Sequence, residues 1–269
     1  MSLPTLRALR DYLPDAAITV LSPGWCAGIY KICPAVDAVL APANGEGPFG
    51  KMRAELHTAA EIGKLGFDEA IILPNSFRSA VAPFVAGIPQ RYGYRTDGRT
   101  ALLTDGLPRK DVPFGHTVLY YRPLLEELGV PWPEGEEKFD LDIDEQTRAE
   151  ADEILKKRGV DFDRQLIGFS PGAAWGPAKR WPAERFAEAA SLLQEKQNRQ
   201  VALFGSGGDA SLINDIIEKT SGPDVSLAGA FDELRHLVAA IDRCSVLITN
   251  DSGPMHIAAA RGVPVVALY

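Results

Sequence analysis

Short apolar segments alternate with segments of helical spacing along this chain, and the alternation restricts the fold more than any other feature of the sequence. In the second half, the apolar runs are residues 166–170, 201–204, 245–249 and 263–268. Strands that alternate with helices predict a parallel sheet covered by helices on both faces. The first half shows the same alternation more weakly. We therefore expect an α/β protein made of two Rossmann-like domains with a cleft between them.

The remaining elements follow from the same two periodicities. Further strands are predicted at residues 17–21 and 69–73. Helical spacing occurs in nine segments, which are 3–12, 50–65, 76–87, 116–128, 144–158, 182–197, 209–219, 232–241 and 253–261. The first of these helices has no strand before it, and the chain ends on the apolar strand PVVALY. Parallel strands need crossover connections, so we expect the first strand and the C-terminal elements to be missing.

Charge divides the 269 residues into three regions. Residues 134–163 carry 12 acidic and 5 basic side chains, whereas residues 51–122 carry 10 basic and 7 acidic ones. We therefore predict a first domain at 1–140, an acidic connector with one helix at 141–164, and a second domain at 165–269. The basic region either faces an anionic partner or is an ordinary solvated surface.

Composition excludes several classes of protein. The net charge of −8 argues against general nucleic-acid binding. No apolar run approaches the roughly 18 residues of a membrane span, and no segment resembles a signal peptide. The three cysteines have no metal-binding spacing and indicate a reduced, cytoplasmic protein. We expect no metal and no cofactor.

The segment Thr249–His256 (TNDSGPMH) follows a predicted strand and opens a predicted helix. A helix N-terminus offers free N–H groups and partial positive charge, which suit a phosphate. Asp251 and Ser252 are also ordinary helix-capping residues, which is the structural alternative. Ser252 and His256 have the spacing of a nucleophile–base pair, but the G-x-S-x-G motif of hydrolases is absent.

Two glycine-containing loops follow the other strands of the second half. In the first, 170–182, Lys179 could neutralise phosphate charge, although a plain turn with exposed cations explains the residues equally well. The second, GSGGDA at 205–210, fits the dinucleotide fingerprint, with Asp224 at a distance that suits a ribose contact. An NAD-binding enzyme is therefore a further alternative.

Taken together, these motifs resemble glycosyltransferase family 9, the bacterial ADP-heptose:lipopolysaccharide heptosyltransferases. PGAAWGPAKRWPAERFAEAA, LFGSGGD and TNDSGPMHIAAARGVPVVALY are similar to its donor-domain segments. LPNSFRSAVAPFVAGIPQRYGYR is similar to the acceptor segment of the heptosyltransferase II branch. The resemblance covers nearly the whole chain. It implies a GT-B fold and inverting, metal-independent transfer of heptose from ADP-L-glycero-D-manno-heptose to heptosyl-Kdo-lipid A.

The resemblance also implies residue roles. In the donor site, Lys179 contacts the phosphates, Asp251 binds heptose hydroxyls, Ser252 and Gly253 present N–H groups, and His256 binds the phosphates or the sugar. The full predicted donor set is Ser170, Gly172, Lys179, Gly205, Asp209, Asp251, Ser252, Gly253 and His256. The predicted acceptor set, aimed at phosphates and Kdo carboxylates, is Asn75, Arg78, Arg91, Arg95 and Arg99.

The family's proposed aspartate base lies on a segment that precedes the helix at which this chain starts. We therefore leave the catalytic residue unassigned and expect these 269 residues alone to be inactive in transfer. Because the acceptor carries lipid A, loose association with the inner face of the cytoplasmic membrane is expected. The alternatives are a UDP-sugar epimerase of the same fold and a nucleotide-binding fragment without catalysis.

Overall fold

The computed structural model describes residues 2–109, 117–133, 139–173, 179–197 and 199–269. The chain forms two compact units, Met1–Asp140 and Leu141–Tyr269. Each unit has its own core. Within the described ranges, no helix is both long and apolar enough to cross a bilayer.

The described part of the first unit contains five short parallel strands and five α-helices. Its elements are α1 (Leu3–Tyr12), β1 (Thr19–Leu21), α2 (Gly24–Lys31), β2 (Ala38–Leu40), α3 (Gly47–Gly63), β3 (Glu69–Ile72), α4 (Phe77–Val85), β4 (Gln90–Tyr94), β5 (Asp105–Leu107) and α5 (Arg122–Glu127). Two 3₁₀ helices, Arg99–Leu102 and Thr117–Tyr121, complete the described part. One buried cluster joins α1 to α5 through Leu9 and Leu125, and another joins α3 to α4 through Ile62 and Ala82.

The strands of the first unit form two sheets. β1 pairs with β2, and β3, β4 and β5 form a separate three-stranded sheet in that order. All of these pairings are parallel. This differs from the single sheet expected of a Rossmann-like domain, because β1 and β3 are not hydrogen-bonded to each other.

The second unit has one continuous parallel sheet. Its elements are α6 (Glu145–Lys157), β6 (Gln165–Ser170), α7 (Ala183–Gln197), β7 (Arg199–Gly205), α8 (Ala210–Glu218), β8 (Val225–Ala228), α9 (Leu234–Ile241), β9 (Val246–Asn250), α10 (Gly253–Ala260) and β10 (Val265–Leu268). The strand order is β10-β9-β6-β7-β8. Phe169 and Leu203 of the central strands pack against Phe186 of α7 and Ile213 of α8, and all four are buried.

The predicted connector, residues 141–164, lies in the second unit. Its helix α6 packs against α9 and buries Ala151 and Leu155. Asp144 caps this helix by accepting a hydrogen bond from the Thr147 N–H at 2.7 Å. The described part of the acidic stretch therefore packs against a helix of the second unit, and the functions predicted for the two domains stay predictions.

Every predicted helix and strand has a counterpart among the described elements, although residue 116 of one predicted helix lies outside the described residues. Elements that the sequence did not predict are α2, β2, β4, β5 and β8. The α/β class with parallel sheets is confirmed.

Candidate functional site

The strand order of the second unit identifies one edge of its sheet as the place for a ligand. From β6 the chain proceeds through β7 to β8 on one side and then returns to place β9 on the other side of β6. Ligands of open parallel sheets bind beside the carboxyl ends of the strands at such a switch point. Ser170 and Thr249 are register partners at the ends of β6 and β9, and both are buried. The predicted donor motifs lie in the loops that follow.

Asn250 joins these loops to each other, although the sequence motifs predict no individual role for it. Its side chain is fully buried at the end of β9. The amide Oδ1 accepts from the backbone N–H of Trp181 at 3.0 Å, and Nδ2 donates to the carbonyl of Pro171 at 2.7 Å. One side chain therefore fixes the loop after β6 and the entry to α7. In the sequence, this role is indicated only by the position of an asparagine at the end of an apolar strand.

The N-terminus of α10 is the end of a helix without a side-chain cap. Ser252 occupies the N-cap position, but its side chain makes no capping hydrogen bond. Its hydroxyl lies instead 3.1 Å from the Thr249 hydroxyl. Ser252 therefore occupies the predicted N-cap position without capping the helix through its side chain. Among the described residues, the N-cap side chain thus leaves the partial positive charge of this helix end uncapped.

Lys179 and Asp251 form an ion pair beside this helix end. Lys179 Nζ lies 2.8 Å from Asp251 Oδ2, and both side chains are partly exposed. The hydrogen bond from Lys179 and then its charge hold the pKa of Asp251 below the ordinary value, and His256 lowers it further. His256 lies on the first turn of α10 and is exposed. The site thus contains a cation and a carboxylate that a ligand can separate. The intervening residues 174–178 of the loop lie outside the described residues.

The Asp209 carboxylate accepts hydrogen bonds from Ser206, at the start of the same glycine loop. Its Oδ2 accepts from the backbone N–H of Ser206 at 2.9 Å and from the Ser206 hydroxyl at 2.7 Å. A side chain at Gly172 would begin 2.8 Å from Asp209 Oδ1, and one at Gly205 would begin 2.9 Å from Asp209 Cβ. The loops after β6 and β7 therefore meet at this carboxylate, and both glycines are needed for the approach.

The prediction that Asp224 contacts a ribose is wrong. Asp224 immediately precedes β8, so it lies at the amino end of that strand, opposite the edge that holds the glycine loop. Its carboxylate accepts hydrogen bonds from Gln194 and Thr220. Burial raises its pKa, although these hydrogen bonds act in the other direction. The dinucleotide fingerprint consequently lacks its acidic partner, and the NAD alternative loses its geometric support.

The predicted acceptor residues lie in the first unit and do not share one environment. Asn75 follows β3 and donates from Nδ2 to the Tyr120 hydroxyl at 2.7 Å. Arg78, on α4, pairs with Glu55 of α3, and half of the Arg78 side chain remains exposed. Arg95 lies directly after β4, and its side chain packs beside Gly106. These three residues remain candidates for contact with a ligand.

Arg99 requires a correction. It is fully buried, and its guanidinium donates to the carbonyl of Tyr94 at 2.8 Å and to the Ser79 hydroxyl at 2.9 Å. Arg91 is also directed inward, since its Nε donates to the carbonyl of Leu102 at 2.8 Å. The Arg99 guanidinium is therefore enclosed in the unit and is not presented to an external anion in this structure, whereas Arg91 is half-buried and partly occupied by backbone carbonyls.

Within the described ranges, no three histidine, cysteine, aspartate or glutamate side chains cluster as metal ligands would. The expectation that the protein uses no metal and no cofactor stays a prediction. The same holds for the aspartate base, which the resemblance places outside this sequence.

A parallel α/β sheet with glycine-containing loops and a cationic helix end at its switch point is a ligand-binding domain of the nucleotide-binding type. The model of glycosyltransferase family 9 (heptosyltransferase) matches residues 56–269, and the chain therefore belongs to that family. It is a glycosyltransferase of the GT-B fold class, as the sequence motifs predict. The epimerase alternative loses its support with this assignment.

Individual relatives agree with the family match. The chain is 35% identical to lipopolysaccharide heptosyltransferase 2 of Escherichia coli K12 over 286 aligned positions, which cover the whole chain and 78% of that protein. Among solved structures, the ADP-heptose lps heptosyltransferase II of E. coli matches with a TM-score of 0.83 and 33% identity, covering the whole chain and 80% of that structure. A family 9 glycosyltransferase from Veillonella parvula matches with a TM-score of 0.88 and 30% identity, over the whole chain and 76% of that structure.

Proposed function

We propose that this protein transfers heptose from ADP-L-glycero-D-manno-heptose to the heptosyl-Kdo inner core of lipopolysaccharide, with inversion at the anomeric carbon and without a metal ion. The family assignment and the names of the relatives support heptosyl transfer to lipopolysaccharide. The relative of known structure is named for ADP-heptose, which supports the donor. The protein then acts in the cytoplasm, at the inner face of the membrane that carries the acceptor, and binds no nucleic acid.

The observation that carries the proposal is the cation beside the uncapped end of α10. A departing ADP gains negative charge on its terminal phosphate as the bond to the sugar breaks. A fixed helix N-terminus and a lysine stabilise that charge without reorganisation, which lowers the barrier to transfer. Lys179 lies where it can do this, 2.8 Å from Asp251. In this proposal, Ser252 and Gly253 present backbone N–H groups to the diphosphate, and His256, at the end of the first turn of α10, also binds the phosphates or the sugar.

The ion pair gives Asp251 two successive roles in this proposal. Without a donor, Asp251 holds Lys179 in position. When the diphosphate binds, Lys179 exchanges the carboxylate for phosphate, and the freed Asp251 accepts hydrogen bonds from heptose hydroxyls. In this proposal, Ser170, Gly172, Gly205 and Asp209 form the backing of the site, and at Gly172 and Gly205 the close contacts with Asp209 leave no room for a side chain.

The acceptor is anionic, and its phosphates and carboxylates are suited to guanidinium and amide donors. Among the predicted acceptor residues, Asn75, Arg78 and Arg95 remain available for this contact. A base must also remove the proton of the acceptor hydroxyl during inversion.

Calorimetric titration of ADP and of ADP-heptose into the chain tests the donor site. We expect Lys179→Ala to weaken ADP binding at least about tenfold, because a charge-assisted contact contributes roughly 1.5–3 kcal/mol. Asp251→Asn is expected to weaken ADP-heptose binding but not ADP binding, because Asp251 is proposed to bind the heptose hydroxyls and not the nucleotide.

Lys219→Ala is the matched control. Lys219 also forms ion pairs at 2.8 and 2.9 Å on the surface of the second unit, but with Glu184 and Asp215. Its removal should leave both affinities unchanged. Equal affinity of the Lys179→Ala variant and the unaltered chain for ADP would contradict the proposed donor site.

A further inference from the structure

A largely buried ion pair holds the C-terminal end of α10, the helix whose N-terminus lies at the candidate donor site. Arg261 is the C-cap residue of α10, and Asp242 is the C-cap residue of α9. The guanidinium meets the carboxylate in two contacts, Nε to Oδ1 at 2.8 Å and Nη2 to Oδ2 at 2.6 Å. The two side chains are only 19% and 11% exposed. A bidentate pair of this kind fixes direction as well as distance.

Two further segments join this pair. Arg148 of α6 donates from Nη1 to Asp242 Oδ2 at 3.3 Å. The remaining nitrogen of Arg261, Nη1, donates to the carbonyl of Leu141. We call Arg148, Asp242 and Arg261 the α10 anchor. It connects the C-terminal ends of α9 and α10 to α6 and to the start of the second unit.

The position of Asp242 is unfavourable for α9 taken alone. A carboxylate at a helix C-terminus is opposed by the negative end of the helix dipole, whereas a cation such as Arg261 suits such a position. The contacts of Asp242 with two arginines offset this local cost. A residue that departs from a local rule in this way indicates a tertiary role.

The helix α10 has little apolar packing of its own to set its direction. Ile257 and Ala258 are its buried residues, and His256 and Ala259 are exposed. The helix has eight residues. At that length it spans about 12 Å, so a tilt of about five degrees at one end displaces the other end by about 1 Å. A change at the α10 anchor therefore reaches the N-terminus of the helix.

We propose that Arg261 and Asp242 are positioning residues for the donor site and act on it through α10. The pair holds the direction of the helix and so places the N–H groups of Ser252 and Gly253 for the diphosphate. This inference rests on the proposed function for the identity of the ligand. Stabilisation by a fixed helix end depends on its placement, so a displaced end binds the diphosphate less tightly.

Calorimetric titration of ADP into the full chain tests the proposal with Arg261→Met, Asp242→Asn and the double variant. We expect each single substitution to weaken ADP binding about three- to thirtyfold, the range of effects carried by packed networks. The double variant should bind no more weakly than the weaker of the two single variants, because the side chains act as one unit. Arg261→Lys keeps the charge without the bidentate geometry, and it should also weaken binding, although less.

The direction of the Asp242→Asn effect separates positioning from charge. Removing a carboxylate makes the second unit less negative, so charge alone would make ADP bind more tightly. Positioning requires that ADP bind more weakly. A purely structural role would lower the stability of the variants and leave the ADP affinity of the folded protein unchanged.

Arg243→Met is the matched control. Arg243 also meets a carboxylate in two contacts, with Nε 2.8 Å from Asp152 Oδ1, but this pair joins α6 to the residue that follows Asp242 and includes no residue of α10. The substitution removes the same charge and should leave ADP affinity unchanged. Urea unfolding of each variant gives the temperature at which it is folded, and the titrations are made there.

Two outcomes would overturn this inference and leave the proposed donor site intact. Arg261→Met and Arg261→Lys could bind ADP as tightly as Arg243→Met, or Asp242→Asn could bind it more tightly than the unaltered chain. An unaltered chain that binds no ADP would instead overturn the proposed function, and the inference with it.

Discussion

Gly172 shows how a single hydrogen atom in place of a side chain supports the candidate donor site. A methyl group there would lie 2.8 Å from Asp209 Oδ1 and 3.0 Å from Asp209 Cγ. The carboxylate cannot move away freely, since two hydrogen bonds from Ser206 hold it. We expect Gly172→Ala to destabilise the second unit by about 1–3 kcal/mol, the usual cost of overpacking, and to weaken ADP binding. Thermal unfolding and ADP titration measure the two effects.

Gly207→Ala is the control for this prediction. Gly207 lies in the neighbouring glycine loop, and an added methyl group there meets nothing within 4 Å. It should leave both the unfolding midpoint and the ADP affinity unchanged. If Gly172→Ala behaves in the same way, the contact between the two loops does not constrain the site.

Arg99 shows what the sequence could not reveal about individual residues. Four arginines of the first half have the same charge in the sequence, and a charge count makes all of them candidates for an anionic acceptor. The structure separates Arg78, which is half exposed, from Arg99, which is fully buried. The difference arises from tertiary contacts, because Arg99 donates to the carbonyl at the end of β4 and to Ser79 of α4. Composition carries no information about such partners.

At the scale of elements, Asn250 connects the end of β9 to both ends of the loop that runs from β6 to α7. Removing its side chain leaves the buried carbonyl of Pro171 and the N–H of Trp181 without partners. Each unpaired buried group costs roughly 1–3 kcal/mol, so we expect Asn250→Ala to destabilise the second unit by about 2–4 kcal/mol. Urea unfolding measures the change. The control is Asn214→Ala on α8, where the side chain is exposed.

An Asn250→Ala variant as stable as the control would show that the loops are held by other contacts. If it is destabilised as expected, ADP binding should also weaken, because Lys179 lies two residues before Trp181 in the loop that Asn250 fixes. The sequence placed the motif at the end of a strand but could not show that its asparagine joins three segments.

The sequence predicted the long apolar strands of the second unit and missed several elements that are polar or only three to five residues long. The strands β6, β7 and β9 are apolar over most of their length and lie in the interior of the sheet, where burial on both faces favours such runs. β4 (QRYGY) and β5 (DGL) are polar or short, and tertiary pairing overrides their weak intrinsic preference. The division of the first unit into two sheets also depends on tertiary pairing of short strands, so the sequence alone could not predict it.

At the scale of the whole molecule, the chain consists of two units that each bury their own core. A ligand that binds only one of them stabilises that unit by an amount set by its concentration relative to its dissociation constant, about 2.7 kcal/mol at a hundredfold excess. The proposed donor residues all lie in the second unit, and the proposed acceptor residues all lie in the first. Nucleotide binding should therefore stabilise the second unit alone.

Hydrogen exchange in the presence of saturating ADP tests this separation. We expect core amides of β6, β7 and β9 to exchange up to about a hundredfold more slowly, because their exchange requires opening of the unit that ADP stabilises. Core amides of β3 and β4 should exchange at unchanged rates, since the first unit contributes nothing to the proposed ADP site. Lys179→Ala should abolish the slowing at the same ADP concentration. Equal slowing in both units would mean that they open together, and the donor site could not then be assigned to the second unit by stability alone.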